Sequence, residues 1–203
     1  MCSSDLMAAA LLRLGHADAV RDYIRWFAPH IYPSGKVPCV VDRRGADPVP
    51  EHDSQGQWVY LVADWLRHSG DRVTAEAVWP QVAAAVRHLD ELRGQRRTDA
   101  YRAPGMLAFF GTLPESISHE GYSAKPLHSY WDSFWALRGM REAVWLAGEL
   151  GHPEEAARWS AIRDELAADL GASVARTMAE HRIPYLPGCV ELGDFDPTSS
   201  TVI

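Results

Sequence analysis

Acidic and histidine side chains are concentrated in three segments, each next to an apolar stretch of the chain. They contribute Glu51, His52 and Asp53; His119, Glu120 and Asp132; and Glu191, Asp194 and Asp196. Paired carboxyl groups suit general acid–base catalysis, in which one group gives up a proton and another takes one up. The segments therefore supply candidate acids and bases, and they do not identify which group is the base.

Asp132 is the first candidate for the general acid. It lies in HSYWDSFWALRGMREA (128–143), where aromatic residues surround it and the nearest cation in the sequence after it is Arg138. A desolvated carboxyl group keeps its proton more readily, as a general acid must. Alternatively, Asp132 is simply an acid at the start of a helix, where the helix dipole favours its charged form. Glu120, in ISHEGYSAKP (117–126), is the rival for the same role.

Other residues of these segments suit sugar binding, because carboxylates, imidazoles and aromatic rings hold hydroxyls and sugar faces. This predicted set is Glu51, His52, Asp53, His119, Tyr122, Trp131, Glu191, Asp194 and Asp196. For Asp53 there is a second interpretation, in which it caps the helix that follows it.

Three similar junctions indicate the elements that position these residues. RLGHADAV (13–20), RHSGDRVTAEAV (67–78) and ELGHPEEAARW (149–159) each end an apolar stretch with Gly and restart on a polar one. Gly at a helix C-terminus and Asp or Pro at the next start predict three helix–turn–helix hairpins. The helix before each turn is apolar nearly all round and is predicted to be inner, whereas the amphipathic helix after it is predicted to be outer.

Long links, predicted at 29–53, 97–129 and 182–203, connect these hairpins. Because the short turns share one end of the hairpins, we expect the links to meet at the other end, over the starts of the inner helices. Links of this length are usually functional or disordered, and their Tyr, Phe and Leu content argues against disorder. The sequence therefore predicts an all-α fold with a cleft lined by the links.

The pattern resembles the (α/α)6 barrel of six-hairpin glycosidases. EHDSQGQWVYLVADWLRHSGD (51–71) resembles an acidic loop that leads into an inner helix in bacterial members, and 128–143 resembles the Trp–acid helix start of glucoamylase-like and trehalase-like enzymes. The resemblance implies an inverting glycosidase with Asp132 as proton donor and an oligosaccharide or glycoside as substrate. Three hairpins would make residues 1–203 a single piece of a partial toroid, with the general base on a later hairpin.

Two other functions remain open. A helical-repeat scaffold would bind a protein or peptide through the links, and an (α/α) toroid lyase or epimerase would use Tyr122, His119 and Arg102 on a sugar. We expect no metal and no cofactor, because phosphate-loop, dinucleotide and HExxH motifs are missing. The net charge of −7 argues against nucleic acid and against an anionic membrane surface. The start lacks a basic n-region, so no signal peptide is predicted and a cytoplasmic location is slightly favoured.

Overall fold

The structure, a computed structural model, describes residues 4–117, 122 and 125–197. Its helices are α1 (Ser4–Arg13), α2 (Ala17–Phe27), α3 (Ser54–Ser69), α4 (Arg72–Ala77), α5 (Trp79–Gly94), α6 (Tyr130–Leu150) and α7 (Pro153–His181). Short 3-10 turns cover Ala28–His30 and Asp99–Arg102. Within the described ranges the one sheet is a two-stranded antiparallel pair, β1 (Val41–Asp42) and β2 (Gly45–Ala46). The predicted all-α class is confirmed.

Glycines close the three predicted hairpin turns. Gly15, Gly70 and Gly151 have φ of +85°, +66° and +84°, a left-handed conformation that residues with a Cβ rarely adopt. Asp71 then starts α4 by accepting a hydrogen bond from the Thr74 amide at 3.0 Å. These local signals explain why the sequence located the turns correctly.

The outer side of the second hairpin differs from the single helix that the sequence predicts. It consists of two helices, α4 and α5, which are separated by Val78. Pro80 lies in the first turn of α5. Proline has no N–H to donate and is accommodated only in the first turn of a helix, so it starts α5 instead of continuing α4.

Burial distinguishes inner from outer helices. In α3, 12 of 16 residues are buried and in α6, 13 of 21, whereas α7 buries only 5 of its 29. The helix α3 packs on α1, α5 and α6, and α6 packs on α7. The inner row is therefore α1–α3–α6, flanked by α2, by α4 with α5, and by α7. Among the residues described here, no helix combines the length and the hydropathy needed to cross a membrane.

The inner helices α3 and α6 run in the same direction. Arg67, near the end of α3, pairs with Glu142 in the second half of α6. Arg72, just after α3, donates to the carbonyl of Glu149 near the end of α6. Near their N-terminal ends, the indole of Trp131 donates to Asp53. Their starts therefore lie together at the end of the fold opposite the turns at Gly70 and Gly151.

Candidate functional site

The long links meet at the starts of α3 and α6, as the sequence predicts. The Ile117 amide donates to the carbonyl of Pro50 at 3.2 Å, which joins the first link to the second. The Val190 amide donates to the carbonyl of His128 at 3.1 Å, which joins the third link to the residues just before α6. The backbone amide of Tyr130 donates to the carbonyl of Gly188 at 2.9 Å. This layer of loops covers the end of the inner row.

Asp53 lies at the centre of this layer and is 1% exposed. It immediately precedes α3, but its side chain makes no capping hydrogen bond. Its Oδ2 instead accepts from Trp131 Nε1 and from Gln57 Nε2, each at 2.9 Å, and its Oδ1 accepts from Ser54 Oγ at 3.3 Å. The simple capping interpretation is wrong, because the carboxyl group ties the start of α3 to the start of α6.

Burial raises the pKa of the Asp53 carboxyl group, and the nearby Glu51 acts in the same direction. Hydrogen bonds from Trp131 and Ser54 oppose the rise without cancelling it. Glu51 is itself buried, with 7% of its surface exposed. The residues before α3 thus place two buried carboxyl groups two positions apart, and for Asp53 this setting favours the protonated form.

Asp132 is the third residue of α6 and is 1% exposed. The cap position of this helix belongs to Ser129, so Asp132 is neither the cap nor the first helical residue. Its Oδ2 accepts a hydrogen bond from the hydroxyl of Ser116, a buried residue of the second link. Trp131 therefore connects the two acids, because Asp132 is its neighbour in the chain and Asp53 accepts its hydrogen bond.

Neutral polar groups accompany these acids. Burial lowers the pKa of His52 to about 4, and the charges of His88 and Lys36 act in the same direction, so the ring is neutral at physiological pH. In the described part of the chain, neither His52 Nδ1 nor either amide atom of Gln55 has a hydrogen-bond partner, although both residues are buried. Buried polar atoms normally bind a partner. These atoms of His52, just before α3, and of Gln55, in its first turn, are therefore able to hydrogen-bond hydroxyl groups.

Two predicted sugar-binding residues, Tyr122 and Asp194, contact each other. The Tyr122 hydroxyl donates to Asp194 Oδ2 at 3.1 Å, and the Cys189 thiol donates to Asp194 Oδ1 at 3.3 Å. Burial raises the pKa of the phenol, and Cys189 and Asp194 raise it further. Burial also raises the pKa of the Cys189 thiol to about 12. Tyr122 is thus a poor general base in this arrangement.

The other predicted residues of the third link lie beside this cluster. Both carboxylate oxygens of Glu191 accept from the His128 amide, at 3.2 and 3.1 Å, and Oε1 also contacts His128 Nδ1 at 2.7 Å. Asp196 is partly buried, and its Cβ would lie 2.7 Å from a Cβ placed on Gly188. His119 and Glu120 lie outside the described residues.

Ser116, Gln55 and Gln57 were not anticipated as members of the site. Ser116 comes 16 positions before Asp132, in the link that leads into α6, and nothing in its sequence neighbourhood marks it as a partner of that helix. The two glutamines occupy positions that the sequence assigns to an apolar inner helix, and the acidic cluster before them was the only visible signal. Among the described residues, no group of three or more His, Cys, Asp or Glu side chains is placed to hold a metal ion.

Comparisons with known proteins leave the geometry as the main guide to function. No protein-family model, no curated protein and no solved structure gives a significant match to this chain.

Proposed function

We propose that this chain belongs to a carbohydrate-active enzyme, an inverting glycoside hydrolase built on an (α/α)6 barrel of which these hairpins form part. The single observation that carries the proposal is the pair of buried carboxyl groups, Asp53 and Asp132, which Trp131 connects. They lie where the starts of two parallel inner helices meet three long links. Protonation of a glycosidic oxygen requires an acid in desolvated surroundings.

In this proposal Asp132 is the general acid, and Glu120 remains its rival. The hydroxyl of Ser116 fixes one oxygen of Asp132 and so orients the carboxyl group. The general base comes from a later hairpin of the toroid. Glu51, His52, Asp53 and, from the third link, Asp194 and Asp196 hold the sugar hydroxyls. Gln55 joins them because its amide can both donate and accept.

A lyase or epimerase is less well supported by the same residues. Such an enzyme needs a base that removes a proton from carbon, and Tyr122 and His119 are the candidates, of which Tyr122 is among the described residues. Its hydroxyl is already a donor to Asp194, and its pKa is raised rather than lowered. Arg102, the proposed charge neutraliser, has 61% of its side chain exposed and stacks on Phe110, 4.5 Å from the ring centre.

A panel of aryl glycosides that differ in sugar and anomeric configuration, assayed on the enzyme that includes the later hairpins, tests the proposal. Release of the phenol should identify a substrate, and proton NMR during the first turnovers should find a free sugar of inverted anomeric configuration. A retained configuration would contradict the inverting mechanism. Binding of sugars without turnover of any glycoside, under conditions in which the folded protein is intact, would favour a binding module.

A further inference from the structure

His128 lies between a cation and a carboxylate just before α6, and its side chain is 5% exposed. On one side, the Nε–H of Arg96 donates to His128 Nε2 at 3.0 Å. On the other, His128 Nδ1 contacts Glu191 Oε1 at 2.7 Å. Arg96 lies just after α5, and Glu191 lies in the third link. The ring therefore joins two distant segments of chain to the start of α6.

These neighbours determine where the proton of the ring resides. The guanidinium group of Arg96 has only donors, so Nε2 must offer its lone pair and cannot carry a hydrogen. A carboxylate only accepts, so Nδ1 must donate to Glu191. The contacts are therefore satisfied by one form of the ring, the neutral tautomer with its proton on Nδ1.

The backbone around His128 is held as firmly as the ring. Its amide donates to the carboxylate of Glu191, and its carbonyl accepts from Val190 at 3.1 Å. Ser129, the next residue, forms a bridge with Cys189, and α6 begins at Tyr130. Because a helix repeats regularly from its first residue, the position of His128 sets the position and rotation at which α6 presents Asp132.

We propose that Arg96, His128 and Glu191 form a clamp that positions Asp132, with His128 fixed as the neutral Nδ1–H tautomer. The inference rests on the proposed role of Asp132 as the acid. Both ring nitrogens are engaged, so His128 acts as a positioning residue and neither as a base nor as a metal ligand. Both carboxylate oxygens of Glu191 bind His128, so Glu191 is part of the clamp and does not hold a sugar hydroxyl.

Glu115 and Phe109 complete the surroundings of the ring. Glu115 pairs with Arg96 and lies 3.7 Å from His128 Nε2. The ring of Phe109 stands edge-on to the imidazole at a centroid distance of 4.8 Å and an angle of 67°. The carboxylate of Glu115 holds the guanidinium group in place, and Phe109 limits rotation of the imidazole.

Long-range proton–nitrogen NMR on the ¹⁵N-labelled protein at neutral pH tests the tautomer without any substrate. The signals of His128 are identified by their loss in His128→Asn. The clamp predicts a protonated Nδ1 and an unprotonated Nε2. Exchange of Arg96 for Met removes the donor that keeps a proton off Nε2, and Nε2 should then become protonated towards Glu115, which lies 3.7 Å away. A wild-type ring with its proton on Nε2, or one whose Nε2 does not respond to Arg96→Met, would overturn the clamp.

Two variants of His128 test positioning. The Asn side chain of His128→Asn can still donate to Glu191, whereas His128→Leu keeps bulk and loses every polar contact. On a glycoside that the wild-type protein cleaves, we expect His128→Leu to lower kcat on the order of 10²-fold with little change in KM, and His128→Asn to recover at least part of it. Equal kcat in both variants and wild type would overturn the positioning role. If no glycoside is cleaved, the proposed function fails, while the NMR experiment still decides the clamp.

Discussion

Gly56 and Gly139 lie against each other where α3 crosses α6. A Cβ on Gly139 would lie 2.5 Å from the Cα of Gly56, and a Cβ on Gly56 would lie 2.0 Å from the carbonyl oxygen of Trp135. The two backbones therefore touch without any side chain between them. This close crossing brings the starts of the inner helices near enough for Trp131 to reach Asp53.

Substitution of Gly139 by Ala should destabilise the protein, because the new methyl group has to push the two helices apart. We expect the free energy of unfolding to fall by about 1–3 kcal/mol, the usual range for overpacking. Gly148→Ala is the matched control in the same helix, since a Cβ there meets no atom within 4 Å. It should leave stability unchanged or raise it by up to about 1 kcal/mol. Urea unfolding of both variants measures the difference, and equal effects would contradict the close crossing.

Replacement of Asp53 by Asn should remove a pH dependence of stability. A carboxyl group whose pKa is raised in the folded state binds its proton more tightly there than in the unfolded chain. The free energy of unfolding therefore falls as pH rises from about 4, the pKa of an unfolded Asp, towards the raised value. Asp53→Asn keeps an acceptor for the Trp131 indole and has no charge to bury, so its unfolding free energy should lack this decline.

The control for this experiment is Asp53→Ala, which also removes the acceptor. It leaves the indole of Trp131 without its partner and should cost about 1–3 kcal/mol at every pH. Urea midpoints measured between pH 4 and 7 separate the two variants. A large loss of stability in Asp53→Asn at neutral pH would mean that the fold needs the charged carboxylate, contrary to the raised pKa.

His52 should have the opposite effect, at acid pH. Its pKa is lowered to about 4 in the folded protein, so between about pH 4 and 6.5 the unfolded chain binds a proton that the folded chain does not. Stability is then complete above pH 6.5 and is lost as pH falls, by at most about 3 kcal/mol from this group. His52→Gln should flatten that part of the stability profile. An unchanged acid slope in the variant would contradict the buried neutral ring.

Apolar grooves at the two ends of the inner row should make the protein associate or bind hydrophobic dye. The groove between α6 and α7, about 370 Å³, is lined mainly by Phe134, Leu137, Leu170, Val174, Met178 and Leu186. A smaller one between α1 and α2 includes Met7, Leu11 and Tyr23. Met178→Lys should reduce dye binding, whereas Met106→Lys, at an exposed methionine elsewhere, should not. A monodisperse monomer that binds no dye would contradict this expectation.

The helical hairpins could be predicted because their signals are local. Gly15, Gly70 and Gly151 mark turns that any chain of this pattern would form. The break between α4 and α5 was missed even though Pro80 was visible, because an outer helix with a proline in it can either kink or restart.

The sequence marks candidate residues for the site, but it does not reveal the hydrogen-bond partners that the structure gives them. The burial of Glu51, Asp53 and Asp132 follows from acids placed next to apolar helices. The bond from Trp131 to Asp53 and the bond from Ser116 to Asp132 join residues that are 78 and 16 positions apart. Such pairs depend on how α3 crosses α6, which one sequence does not reveal. Asp53 does lie at the cap position of α3, as predicted, but its side chain accepts hydrogen bonds from Trp131 and Gln57 and does not cap the helix.

The central claim is that Asp132 donates the proton to the leaving oxygen. Asp132→Asn is nearly isosteric and should keep the fold, but its amide is not an acid. In the enzyme that includes the later hairpins, the variant should lose about 10²–10⁴ in rate with a natural glycoside. With an aryl glycoside that has a good leaving group it should lose far less. Glu120→Gln is the paired variant. The most direct measurement is the ratio of kcat/KM for these two substrates in wild type and in both variants. The account predicts a large change in this ratio for Asp132→Asn alone, and an unchanged ratio for Asp132→Asn with a changed one for Glu120→Gln would contradict it.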